Sequence, residues 1–217
     1  MHIAIFGANG ATGRLLTQNC LAAGYSVSAL LRAPESFPFR DRVTATGQIV
    51  QGSAFDAAAV ARTMEGADVV FSALGAKSPL RNENVLPRAV PVIVHAMQQT
   101  GIRRMIALGS AGALPDSLAK QPAWRRWIVK NIVYTYLLKW PVYEQTFQYL
   151  ALVSSGLDWT MVMPPMLTNG PARGHYRIDG EALPRNGSRI SRADVAGFMM
   201  QQITSDAWLR KGVYISD

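Results

Sequence analysis

Cysteine is almost absent from this 217-residue chain: Cys20 stands alone. That excludes any intrachain disulfide framework and suits a reducing compartment such as the cytoplasm. Long apolar runs are missing too. No uncharged stretch reaches the roughly 18 residues that a membrane span requires. The N-terminus lacks a basic segment leading into an apolar core, so its first apolar run reads as a strand rather than as a secretion signal. Three histidines are scattered along the chain, and His95 has no neighbouring Cys, His or carboxylate cluster. No metal site is expected.

Low-complexity tracts and internal repeats are likewise absent. With 49% hydrophobic and 17% charged residues, the composition is that of a globular protein, and the length suits one domain over 1–217. The net charge is +8. It is uneven, since residues 1–100 hold eight basic and six acidic residues whereas 101–217 hold fourteen and eight. A nucleic-acid partner would favour such a balance, but no nucleic-acid module is recognisable. A multiply anionic small molecule bound beside an acidic substrate gives the same excess.

What is present is a glycine-punctuated turn directly behind the first apolar run. Ile3-Ala4-Ile5-Phe6 reads as a buried parallel strand, and Gly7, Gly10 and Gly13 then carry the chain into a helix through Arg14-Leu15-Leu16. Glycine is needed where the backbone bends sharply, approaches a pyrophosphate, or packs a helix on a strand. The helix start adds free N–H groups and the positive end of its dipole, so an anion can dock without a lysine. Gly7, Asn9, Gly10, Ala11, Thr12 and Gly13 are therefore the candidate phosphate contacts.

Strands alternating with helices predict an α/β fold with a doubly wound, mostly parallel sheet and helices on both faces. The second strand, Tyr25–Leu31, ends at Arg32. An acidic residue there would hold the ribose hydroxyls of NAD, whereas an arginine suits the 2′-phosphate of NADP(H); the alternative is a surface arginine that begins a loop. A third strand over Val43–Gln51 leads to Ser53 and Ala54, candidates for the adenine end, and Asp56 reads as the N-cap of the helix through Met64. The fourth strand, Ala67–Leu74, brings Leu74 and Gly75 to the carboxyl edge of the sheet, where open α/β folds hold ligands. Gly75 also fits a connection that needs glycine for geometry alone.

A helix over Asn82–Thr100 and a fifth strand over Arg103–Leu108 come next. Ser110 and Ala111 follow and are candidate substrate contacts, although Ser110 also fits a serine that satisfies its own turn. A further helix ends at Gly156, and the strand Leu157–Met163 leads to Pro164-Pro165-Met166. The prolines would border the cofactor and Met166 would offer an adaptable apolar wall; the alternative is a rigid loop. The remainder forms a small substrate-side extension. It contains a helix begun by Ser191 with Asp194 three residues on, and a last strand at Val213–Ile215.

One segment stands apart, an insert at 115–140. From Lys120 to Lys139 there are five basic residues, no acidic ones, and many large apolar residues between them. It reads as a helix, with three uses in competition: a lid, a homo-oligomer contact, or a membrane-surface helix. Apolar residues around most of its circumference favour burial against protein.

GANGATG at 7–13, Arg32, Gly-Ser-Ala at 109–111, SGLDWTMVMPP at 155–165 and ISRADVA at 190–196 together resemble the atypical short-chain dehydrogenases, with their Rossmann-type NAD(P)-binding fold. Within that group the likeness is to the NADPH-dependent flavin and biliverdin reductases, and more distantly to NmrA-like proteins. The resemblance implies NADP(H) phosphates on the glycine turn, Arg32 at the 2′-phosphate, and Ser110 and Pro165 beside the active site. It departs at Met166, where a histidine is usual. The Tyr-x-x-x-Lys pair of ordinary short-chain dehydrogenases is missing, since Tyr143 is followed by Phe147 and Tyr149 by Val153. The expectation is a cytoplasmic oxidoreductase that passes hydride from NADPH to a planar conjugated acceptor such as a flavin, quinone or linear tetrapyrrole. The alternative is a non-catalytic NADP(H)-binding sensor or assembly factor. A sugar-nucleotide epimerase fits poorly without the pair.

Overall fold

In the computed structural model, which describes residues 1–76 and 78–217, Ile3 and Ile5 pack into one hydrophobic core while Ala4 and Phe6 pack into another. This is the two-residue alternation of a strand covered on both faces. The elements in order are β1 (His2–Phe6), α1 (Ala11–Ala22), β2 (Ser26–Leu31), α2 (Arg40–Thr44), β3 (Gln48–Gln51), α3 (Ala57–Met64), β4 (Val69–Ser72), α4 (Val85–Thr100) and β5 (Arg104–Leu108). Then come α5 (Ala123–Ile128), α6 (Lys139–Ser154), β6 (Asp158–Met163), β7 (Met166–Thr168), β8 (Arg177–Asp179), β9 (Arg189–Ser191), α7 (Arg192–Gln201) and β10 (Lys211–Ser216).

The main sheet has eight strands in the order β3-β2-β1-β4-β5-β6-β10-β8, and β7 pairs separately with β9. All pairings in the main sheet are parallel except β10 with β8. Helices α3, α4 and α6 supply one core, and α1 and α7 supply the other. The chain winds outward from β1 through β2 to β3 and then returns to place β4 on the other side of β1. That reversal opens a crevice at the carboxyl ends of β1 and β4.

Two expectations change. The predicted strand over Val43–Gln51 is confined to Gln48–Gln51, because Val43 lies buried on α2. The apolar run that suggested a longer strand serves instead to fasten a short helix to the core. The insert differs more. Helix α5 and the π-wound turn over Val129–Leu137 contain no fully buried residue; Val129 and Tyr134 pack against one core, while most of the segment's large apolar side chains stay exposed.

Capping follows the sequence closely. Asp56 Oδ1 accepts the N–H groups of Ala58 and Ala59 at 2.9 and 3.3 Å, which satisfies donors that open α3. Ser191 Oγ accepts the Asp194 N–H at 2.9 Å and starts α7. Cys20 is buried on α1, and burial pushes its thiol up to about 12. It is therefore no nucleophile at neutral pH.

Candidate active site

The crevice is a cavity of about 480 Å³. Its floor comes from Gly7, Asn9 and Gly10 behind β1, its outer wall from Arg32 behind β2, and its far side from Ser53 and Ala54 behind β3. Leu74 and Gly75, behind β4, close it. Eight of the residues singled out in the sequence thus line one cavity, though they come from four strands.

Backbone geometry explains the first glycine. Gly7 has φ +84°, and a Cβ there would stand 2.6 Å from the Ala73 carbonyl oxygen. A side chain would therefore meet the end of β4 while also straining the backbone. Gly13 has a different reason: a Cβ on it would collide with the Gly7 carbonyl group and close the approach of α1 to the turn. Gly10 sits at the N-cap of α1 in an extended conformation and provides no side-chain cap. The first-turn donors at Ala11, Thr12 and Gly13 consequently have no competing side chain. Thr12 and Gly13 are buried, while Ala11 is exposed. A cradle that a Cβ would fill, at the positive end of a twelve-residue helix, fits the pyrophosphate of a dinucleotide.

Arg32 is exposed on the rim. A second arginine stands near the turn. Arg14 donates from Nε and one terminal nitrogen to Asn9 Oδ1 at 3.0 and 2.7 Å, and Asn9 Nδ2 donates to Ser36 Oγ at 2.9 Å. This chain of bonds sets the orientation of Asn9. Ser36 itself lines the cavity, on the short 3₁₀ turn Pro34–Ser36, and sequence reasoning did not find it. The Pro34-Glu35-Ser36 turn, two residues beyond the arginine, was the available signal. Phe55 is another omission. It lines the cavity, and the Arg88 guanidinium lies 3.9 Å from its ring centroid, a cation–π contact that steadies a flat apolar wall.

The second group of predicted residues lies along the same sheet edge, beyond this cavity. Ser110 is half-buried behind β5, and its Oγ accepts the Gly112 N–H at 3.3 Å. Ala111 is buried in the core, and its N–H donates to the Pro164 carbonyl at 2.8 Å. That bond ties the exit of β5 to the exit of β6. Pro164 is buried and Pro165 half-buried, whereas Met166 on β7 is 63% exposed. The structure therefore brings Ser110, Ala111 and Pro164 into one neighbourhood and leaves the Met166 side chain facing water.

Tyr134, from the insert, also reaches this neighbourhood: a Cβ on Gly112 would meet its ring carbon and hydroxyl oxygen at 3.2 and 3.3 Å. Burial raises the Tyr134 phenol above its ordinary value, so it stays protonated at neutral pH. Nothing in the spacing of the sequence pointed to that contact. Among the described residues no group of three or more His, Cys, Asp or Glu could hold a metal ion.

A protein family described as NAD(P)H-binding matches residues 7–206, a span that takes in every one of these positions. The chain belongs to that family. Several solved structures share its fold. It is similar to ChuY, an anaerobillin reductase from Escherichia coli O157:H7, with a TM-score of 0.78 and 22% identity over 100% of this chain and 97% of the other. It is also similar to a short-chain dehydrogenase/reductase from Veillonella parvula solved in complex with NADP, with a TM-score of 0.78 and 21% identity over 100% and 94% of the two chains. A third is the oxidoreductase ylbE from Lactococcus lactis, at a TM-score of 0.76 and 19% identity over 100% and 91%. As a member of the NAD(P)H-binding family with this Rossmann-type sheet, the protein binds a nicotinamide dinucleotide.

Proposed function

We propose that the protein is an NADPH-dependent reductase of a planar conjugated acceptor: a flavin, quinone or linear tetrapyrrole. The observation that carries this reading is the exposed Arg32 on the rim of a crevice whose floor is the glycine turn. A guanidinium there offers two parallel bonds to a 2′-phosphate, which NADPH has and NADH lacks. The bound nicotinamide supplies the hydride. The chain's own residues bind, orient and exclude water.

On this reading Gly7, Gly10 and the first turn of α1 hold the pyrophosphate, while Ser53, Ala54 and Phe55 border the adenine. Leu74 and Gly75 guide the chain of phosphates and ribose inward. Pro164 and Pro165 form a rigid wall beside the nicotinamide, and Ser110 orients the acceptor once its hydroxyl turns from the Gly112 N–H. A conjugated acceptor suits the missing Tyr-x-x-x-Lys pair. Tyr143 is exposed and Phe147 half-buried, so neither position offers a buried acid–base couple, and the proton that completes reduction comes from solvent. Action in the cytoplasm fits the single, buried Cys20.

The test is NADPH fluorescence on mixing with the purified protein, followed through addition of FMN and then a soluble quinone. A shift on mixing followed by protein-dependent decay supports the reductase. A shift with no decay for any acceptor overturns it in favour of an NADP(H)-binding sensor.

A further inference from the structure

Residues 123–138 form a helix with an unusual surface. Trp124, Ile128, Ile132 and Tyr136 recur every four residues, with Trp127 and Leu137 beside them, and all six are between 39 and 74% exposed. In an α-helix, residues four apart overshoot a full turn by about 40°, so such a row would drift around the axis. Here the winding changes. Val129–Leu137 is π-wound, with Leu138 N–H donating to the Val133 carbonyl at 2.8 Å and Thr135 Oγ1 to the Lys130 carbonyl at 3.0 Å. A π turn holds more residues than an α turn. Four-residue steps then fall short where before they overshot, and the row stays on one side.

The opposite side faces the protein. Arg125, Val129, Val133, Tyr134 and Leu138 are half-buried; Arg125 donates to Gln121 Oε1 and to the Gly187 carbonyl at 3.1 and 2.9 Å. The helix is thus anchored inward and still presents an apolar row outward. Arg126, Lys130 and Lys139 on the same segment are exposed, and the chain contains no acidic residue between Asp116 and Glu144.

We propose that this row docks the protein on an anionic phospholipid surface. Large apolar side chains with tryptophan and tyrosine among them enter the headgroup boundary, and lysine and arginine reach back to the phosphates. Charge argues against a second copy as the cover. Two such segments face to face would bring two basic stretches together with no acid on either to pair them. The contact of Tyr134 with Gly112 also sets the docking helix beside Ser110. Resting on the reductase reading, this selects a lipid-soluble quinone as the acceptor, drawn from the bilayer on which the helix lies.

Sedimentation with vesicles tests the docking. The protein co-sediments with phosphatidylcholine vesicles containing phosphatidylglycerol, and at least about tenfold more weakly with phosphatidylcholine alone. The triple change Trp127→Ser, Ile132→Ser, Tyr136→Ser abolishes binding, and Lys130→Glu weakens it; all four positions are exposed, and an unchanged circular dichroism spectrum with retained NADPH binding verifies the fold. Wild-type protein that stays in the supernatant overturns the proposal, as does a dimer in light scattering that the triple change dissolves while vesicles bind nothing. For the acceptor, wild type reduces a long-chain quinone in anionic vesicles faster than the triple variant, while the two reduce FMN alike. Equal quinone rates overturn the acceptor assignment alone. Vesicle binding without any NADPH oxidation overturns the reductase reading and leaves the docking intact.

Discussion

Gly7 and Ala73 approach so closely that a Cβ on the glycine would stand 2.6 Å from the alanine carbonyl oxygen, although 66 residues separate them. The glycine turn and the strand end that closes the crevice are therefore one contact.

Gly7→Ala tests that contact. The left-handed backbone costs about 1–3 kcal/mol for a side-chain-bearing residue, and the clash adds to it because the obstacle is backbone. Urea denaturation is expected to show a loss in that range or above, with NADPH affinity falling alongside. Gly24→Ala is the control, since a Cβ there meets nothing within 4 Å while its φ of +76° is similar; it carries the backbone cost and spares the cofactor.

Arg32→Ala should separate the two nicotinamides. Loss of a charge-assisted pair costs about 1.5–3 kcal/mol, so NADPH binding should weaken about 10–100-fold while NADH binding changes little. Fluorescence titration of both cofactors reads this directly. Equal weakening of both would assign Arg32 to the general shape of the rim instead.

Glu144 reaches across from α6 to α4, where its Oε2 accepts the Leu86 N–H at 2.9 Å in an almost wholly buried setting. It acts as a cap borrowed from another helix, needed because Asn84 has φ +49° and gives no side-chain cap to α4. Glu144→Ala should cost about 1–3 kcal/mol, the penalty of a buried donor left without a partner. Glu144→Gln, which keeps an acceptor oxygen, should cost less. Chemical denaturation of the pair distinguishes the lost hydrogen bond from the lost packing of the buried side chain.

Acid stability should depend on Asp194. Burial alone would raise its carboxyl, but the Ser191 hydroxyl and the N–H groups of Gly174 and Arg173 outweigh burial and hold it below the ordinary carboxylate value. The group binds its proton more weakly folded than unfolded. Its contribution is thus complete above the unfolded value of about 3.9 and is lost as pH falls through the lower folded value. Asp194→Asn should lower Tm at neutral pH and flatten the fall in Tm between about pH 5 and about pH 2. Parallel melting curves for the two proteins over that range would remove Asp194 as a cause of acid sensitivity.

Much of the crevice was readable from order along the chain, because its parts are local. Gly7, Gly10 and Gly13 punctuate one turn, Arg32 ends one strand, and each strand announces itself by an apolar run. Ser36 and Phe55 were missed because what marks them is proximity to the crevice, and that depends on how the loops after β2 and β3 fold back. Val43 was misassigned because one buried valine fits a strand or a short helix equally well.

By itself, the sequence determined an α/β fold with a glycine-punctuated turn behind its first strand, since hydrophobic periodicity and glycine spacing act over a few residues. Tertiary structure decided what distance along the chain conceals. It set Glu144 under α4 and Tyr134 against Gly112, and it turned the insert's apolar row outward. The insert's composition was compatible with burial; only the packing of Arg125, Val129 and Leu138 toward the protein settled which side remained free.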